Sequence, residues 1–180
     1  MVRLATPRLS IREFVASDFD AVHAYASDPV VTRYLYWGPN TSKQTVAFID
    51  RCVGDQEAIV RENFELAIVL TGSGDLIGGA SLMARRLEYR EYEIGYCLRS
   101  DTWGNGYAKE ATRALVAYGF EQLEAHRLYA LVDPDNPASM RVIEQLGFVR
   151  EGLQRSDTLI DGRWCDTLVY AALADKHGQR

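Results

Sequence analysis

Long apolar runs are missing from this sequence. No stretch of about 18 consecutive apolar residues occurs, so no membrane-spanning helix is expected. The amino terminus lacks the charged-then-apolar pattern of a secretory signal. Cysteine is scarce. Cys52, Cys97 and Cys165 lie far apart, are odd in number, and make neither a metal-type spacing nor a disulfide frame. A reducing cytoplasm is the expected location. His23, His126 and His177 are scattered and form no nucleophilic or metal set, so no metal is expected. An excess of basic charge is also missing: 20 Lys and Arg face 25 Asp and Glu, for a formal charge of −5. Phosphate binding along a nucleic acid needs a basic face, so that class of partner is excluded, while a cationic substrate is not. Linkers, repeats and low-complexity segments are absent, and residues 1–180 are expected to form one domain with its own core.

What is present is a change of hydrophobic period along the chain. Leu9 and Ile11 alternate with Ser10 and Arg12, which predicts a strand. Ser17 is placed to cap a helix with Phe19, Val22, His23 and Ala26 on one face. Asp28-Pro29 reads as a cap with proline at the first helical position. Thr41 and Gln44 have capping-box spacing and open a longer helix through Val53. Strands are then expected at Phe64 to Leu70, Leu76 to Met83 and Leu87 to Leu98, the first two joined by the turn Gly72-Ser73-Gly74-Asp75. A helix from Gly106 to Leu123 and a buried strand from Leu128 to Val132 complete a strand–helix–strand unit, which implies a parallel pair. Ser139 to Leu146 is helical with Gly147 as its stop, and a closing hairpin turns at Asp161-Gly162. The expected fold is mixed α/β: a central sheet of about seven strands flanked by helices.

The most informative segment is the loop after the third of those strands, Trp103-Gly104-Asn105-Gly106-Tyr107-Ala108. Glycines lie where a helix begins. The unpaired N–H groups and positive dipole of a helix start bind anions, and glycine lets backbone approach a phosphate closely. A pyrophosphate cradle is one reading and a plain structural turn is the other. A P-loop fails for want of Gly-Lys-Ser/Thr, and a dinucleotide fingerprint fails because Lys109 holds the third glycine position.

This segment resembles the coenzyme A motif of the GNAT acetyltransferase superfamily, Gln/Arg-x-x-Gly-x-Gly/Ala, with Trp103 in place of the usual first residue. Its Trp-Gly-x-Gly-Tyr-Ala form is similar to the branch of ribosomal-protein N-terminal acetyltransferases (RimJ/RimL-like). Thr6-Pro7-Arg8-Leu9-x-Ile11-Arg12, Asn136-x-x-Ser139, Leu146-Gly147-Phe148, Glu151-Gly152 and Leu159-Ile160-Asp161-Gly162-x-Trp164-x-Asp166 resemble that branch in the same order, over nearly the whole chain.

The resemblance implies two strands that splay apart, with the pantetheine arm of acetyl-CoA entering the gap. Tyr96, Cys97 and Leu98 would supply the exposed edge, and Leu98 N–H would polarise the thioester carbonyl. Trp103, Gly104, Asn105, Gly106, Tyr107, Ala108 and Lys109 would hold the pyrophosphate. Asn136 would contact pantetheine, and Ser139 would lie near the sulfur. Many members carry a tyrosine as general acid where this chain has Ile143, which leaves Ser139 as the acid or as a mere cap or cofactor contact. Glu93 is the first choice for the base, against a solvent-facing place among Glu88, Glu91 and Glu93. The base that some members carry on the penultimate strand falls here on Thr158, and Asp157 beside it would face the other way. Cys97 is expected to be a small buried residue rather than an acyl carrier. The run Tyr34 to Pro39, Tyr34 and Trp37 above all, either lines an acceptor pocket with Glu93 or packs as ordinary aromatics.

The activity this implies is direct transfer of acetyl from acetyl-CoA to an amine, by preference a protein or peptide N-terminus. A small amine such as a polyamine, amino sugar or drug is the alternative, and a non-catalytic acyl-CoA sensor is the rival from another class. A homodimer is compatible with the sequence. The acidic cluster is expected to steer a cationic amine.

Overall fold

The computed structural model describes residues 1–160 and 162–177. Its strands form one eight-stranded sheet in the order β1-β2-β3-β4-β5-β6-β8-β7. They are β1 (Arg3–Ala5), β2 (Leu9–Glu13), β3 (Asn63–Leu70), β4 (Leu76–Arg86), β5 (Glu91–Leu98), β6 (Arg127–Val132), β7 (Val149–Ile160) and β8 (Arg163–Leu173). The helices are α1 (Phe19–Ala26), α2 (Pro29–Thr32), α3 (Ser42–Gln56), α4 (Tyr107–Glu121), α5 (Pro137–Gln145) and α6 (Ala174–His177). The mixed α/β architecture agrees with expectation, with one strand more than the seven foreseen. The extra one, β1, is three residues long and pairs Leu4 with Ile11.

Local chemistry sets several boundaries. Asp28 accepts from Val30 N–H, with Pro29 opening α2. Thr41 and Gln44 form the reciprocal capping box of α3. Gly147 ends α5 at φ 86°. Its N–H bonds to Glu144 O, and Phe148 N–H bonds to Ile143 O, a Schellman closure with both apolar partners buried. Two expectations change. No side chain caps α1: the turn before it is held by Asp18, which accepts Val15 N–H at 2.9 Å and the Arg12 guanidinium. The third expected strand starts at Glu91 rather than Leu87, because residues 87–89 form a 3-10 turn and Arg90 takes φ 52°. In the closing hairpin Gly162 has φ 75°, while Asp161 lies outside the described residues.

The sheet carries a core on each face. On one face Leu66, Leu82, Ile94, Leu98 and Leu128 pack beneath α4 and α5, with Ala111, Leu115 and Ile143. Gly119 lets α4 approach β6 so closely that an added Cβ would meet the Leu128 methyls at 3.1 Å. On the other face Ala67, Val69 and Leu76 pack under Val22, Tyr25, Ile49 and Cys52 of α1 and α3, with Trp37 and Cys97 at the margin. Among the described residues no helix is long and apolar enough to cross a membrane.

Candidate active site

The site starts from a break in the sheet. Strands β5 and β6 are its parallel neighbours, and they pair only through Glu91 with Arg127, Tyr92 with Leu128, and Glu93 with Tyr129. Beyond Glu93 the strands part. On its other edge β5 stays paired with β4 up to Leu98, and Arg99 N–H bonds to Ile77 O. An antiparallel ladder alternates its bonding direction, so Cys97 and Arg99 turn their backbone toward β4 while Tyr96 and Leu98 turn theirs into the gap. A strand-like arm can pair with that edge. The Leu98 carbonyl is already taken by Trp103 Nε1 at 2.8 Å, which leaves the Leu98 N–H.

At the open end of the gap lies the glycine loop. Gly104 and Gly106 have φ 77° and 79°, the left-handed region that glycine enters without strain. Gly106 is the N-cap of α4 and offers no side chain, so the amides of Tyr107, Ala108 and Lys109 are uncapped. Asn105 Nδ2 braces the loop on the carbonyls of Thr102 and Trp103. Arg8, which the sequence marks only as part of the opening segment of the resemblance, braces this loop from outside. Its guanidinium bonds to Glu110 in the first turn of α4 and to Asn105 O at 3.0 Å, and it lies over the Tyr107 ring. These features fit a pyrophosphate with a pantetheine arm behind it.

The inner wall on the α5 side carries two hydroxyls. Tyr96 Oη is 2.9 Å from Ser139 Oγ. Asn136 caps α5 by accepting Ser139 N–H at 3.1 Å, which fixes where Ser139 stands. Burial pushes the Tyr96 phenol up to about 12, so it stays protonated at neutral pH. Ile143 is fully buried in the core. Cys97 faces the opposite side of β5, where burial pushes its thiol up to about 12 and keeps it a thiol.

Glu93 sits where the strands separate, buried at 6% exposure. Its Oε2 accepts from Arg85 Nε at 3.0 Å and from Tyr129 Oη at 3.1 Å, and its Oε1 has no protein partner among the described residues. Burial, and then the Glu93 charge, pushes the Tyr129 phenol up to about 12. The acidic cluster does not stand as a free negative patch. Glu91 is paired with Arg86 and Arg127, and Glu93 with Arg85, while Glu88 is exposed and makes no ion pair among the described residues. Thr158 and Thr167 share a hydrogen bond at 3.2 Å. Tyr34 lies under the Arg33 guanidinium and Trp37 packs on the second core. Tyr36, exposed beside them, is the aromatic whose hydroxyl feels both Glu93 and Glu65.

Residues 8–149 match the model of the acetyltransferase (GNAT) domain. The chain belongs to the GNAT acetyltransferase family. It is 32% identical to the uncharacterised N-acetyltransferase YnaD of Bacillus subtilis over 97% of this chain and 99% of that one. A GNAT-family acetyltransferase of Bacillus anthracis superposes with a TM-score of 0.87 at 32% identity, covering 97% and 100% of the two chains. The spermidine N(1)-acetyltransferase of Vibrio cholerae is 24% identical over 96% of this chain and 97% of its own. This GNAT enzyme is an N-acetyltransferase with acetyl-CoA as its co-substrate. Among the described residues no group of His, Cys, Asp and Glu is arranged to hold a metal ion.

Proposed function

We propose that this GNAT enzyme acetylates an amine already partly neutral near pH 7, by preference the α-amine of a protein or peptide N-terminus. The observation that carries the transfer is the parting of β5 from β6 beyond Glu93, with the Tyr96–Ser139 hydroxyl pair on the inner wall. Acetyl-CoA supplies the activated acyl group. The amides of Tyr107 to Lys109 receive its pyrophosphate, and Tyr96 and Leu98 backbone receive the pantetheine arm, with Leu98 N–H drawing charge onto the carbonyl oxygen. Glu93 Oε1 receives the acceptor amine at the mouth of the gap. Amine nitrogen bonds to the acyl carbon, the carbon–sulfur bond breaks, and the Ser139 hydroxyl gives its proton to the leaving sulfur. Tyr96 and solvent return a proton to Ser139, and the net reaction releases one proton. All three cysteines are free, which suits a reducing cytoplasm.

The acceptor class follows from proton cost. A chain-terminal α-amine has a pKa of about 8 and a lysine about 10.4, so lysine needs about 3.4 kcal/mol more to become neutral. The resemblance to N-terminal acetyltransferases points the same way. A polyamine is the second reading, favoured by the Vibrio relative and by two carboxylates, Glu65 and Glu93, on one face of the sheet.

Peptides with a small free N-terminal residue, matched peptides blocked at the terminus but carrying lysine, and spermidine form the test. Tandem mass spectrometry locates the acetyl group. The α-amine is expected to react about 100-fold faster than lysine, the margin of the pKa gap. Comparable lysine rates, or spermidine turnover without peptide turnover, overturn the N-terminal assignment.

A further inference from the structure

Glu65 belongs to none of the machinery above, yet its environment is unusual for a carboxylate. It lies in β3, in the middle of the sheet, and the register pairs Glu65 with Ser81 and Ser81 with Gly95. Directly opposed residues share a face, so these three form one row across β3, β4 and β5. Gly95 is the first residue of that face beyond the point where β5 leaves β6. The row therefore runs from Glu65 straight to the gap, on the face opposite Tyr96.

Gly95 presents bare backbone at the end of the row. A Cβ there would come within 3.0 Å of Ser81 Oγ, so the serine hydroxyl occupies the space beside it. Ser81 is buried at 7% exposure, and its hydroxyl has no protein partner among the described residues. Glu65 likewise makes no hydrogen bond or ion pair among them. Around its carboxyl stand Arg51, Cys52 and Asp55 of α3, Tyr25 of α1, Tyr36 beyond α2, and Cys97 of β5. Only Arg51 among them is cationic, and it makes no contact of ion-pair length. Glu65 is partly buried; a carboxyl in such a place without a partner favours its neutral form, and the desolvation pushes Glu65 up to about 7 against the pull of Arg51.

We propose that Glu65 is the proton acceptor for the attacking amine, reached through the Ser81 hydroxyl and solvent beside Gly95. The inference rests on the acetyltransferase reading and extends it to the base. Two strand spacings, about 10 Å, separate the Glu65 and Gly95 backbones, so a relay rather than direct contact is required. Of the two protons an ammonium acceptor loses, one passes by Ser81 to Glu65 and out to bulk water. The other also passes to solvent, from which the Tyr96–Ser139 pair recovers the one proton given to sulfur, so one proton is released in all. Glu93, with Oε2 held by Arg85 and Tyr129, orients the amine. An acceptor near pKa 8 matches a base near 7 better than lysine does.

The test compares Glu65→Gln, Glu65→Asp and Ser81→Ala with the parent enzyme, using the best amine from the acceptor panel. Glu65→Gln is expected to lower kcat by about 100-fold or more, with KM for the amine within a factor of about three, in the range of a lost general base. The acidic limb of the kcat/KM profile near pH 7 should vanish, Glu65→Asp should restore part of kcat, and Ser81→Ala should fall between. Carbon-13 NMR of the glutamate carboxyls should show one titration near 7 that Glu65→Gln removes. Unchanged kcat and pH profile in folded Glu65→Gln overturn the proposal. So does a raised KM with unchanged kcat, which would make Glu65 an anchor for a second cation. A parent enzyme that turns over no amine would sink the acetyltransferase reading itself, an outcome distinct from either.

Discussion

The Tyr96 hydroxyl stands 2.9 Å from Ser139 Oγ, joining the cofactor strand to the start of α5 across the gap. Neither side chain alone makes a proton route. Ser139 has no acidic neighbour, and Tyr96 is a protonated phenol with its hydroxyl on Ser139. In the proposed transfer they act together, the serine giving the proton and the phenol replenishing it. Ser139→Ala is expected to lower kcat by about 10- to 100-fold with acetyl-CoA affinity nearly unchanged. Tyr96→Phe, which removes the replenishing group only, should cost less. Steady-state rates with calorimetric binding separate these from loss of the cofactor, and a wild-type kcat in Ser139→Ala would mean that the sulfur takes its proton elsewhere.

Gly106→Val should abolish tight acetyl-CoA binding. The position has φ 79°, which a branched residue enters only under strain, and the side chain would stand beside the uncapped amides of α4. Calorimetry is expected to show at least a tenfold weaker Kd in a folded variant. Unchanged affinity would remove the cradle from the site.

Cys97→Ala should keep most of the activity. Its thiol points away from the Tyr96–Ser139 wall and is held protonated by burial, so it is a poor acyl carrier. A trapped acyl-enzyme in mass spectrometry, lost in the variant, would reverse this.

The fold of the parts nearest each other in the chain was legible in advance. The Asp28-Pro29 start, the Thr41–Gln44 box, the glycine loop and the Gly147 stop depend on neighbours within a few residues, and the chemistry of those neighbours is written in order. The contacts that finish the site are not. Arg8 reaches Glu110, Tyr96 reaches Ser139, and Glu65 faces Ser81 only once the register of the sheet is set. One strand slipped by a residue would send Glu65 to the other face. Glu93 is a candidate from the sequence, but its engagement by Arg85 and Tyr129 is not legible there, since β6 is far from β4 in sequence.

Glu65 also predicts a signature in stability that does not depend on turnover. Its carboxyl is raised from 4.5 to about 7 in the folded protein, mainly by burial. A carboxyl with a raised folded pKa is harmless while protonated and costs stability once charged. The parent should therefore lose stability relative to Glu65→Gln as pH rises from about 4.5 to about 7, and no further above that. The full difference is up to about 3 kcal/mol. Denaturant unfolding of both proteins at pH 5 and pH 8 checks the sign. A variant that is relatively less stable at pH 8 would contradict the partly buried, unpaired state.

The Arg8 clamp bears on when this enzyme becomes competent. Residues 105–110 are braced from outside by a side chain about a hundred positions earlier, because Arg8 bonds to both Asn105 O and Glu110. Closing so long a loop is a slow, non-local event compared with winding α4. The opening strand and its partner β3 both precede α4 in the chain, so Arg8 can already stand at the sheet when residues 105–110 arrive, and this outer brace needs none of β6, β7 or β8.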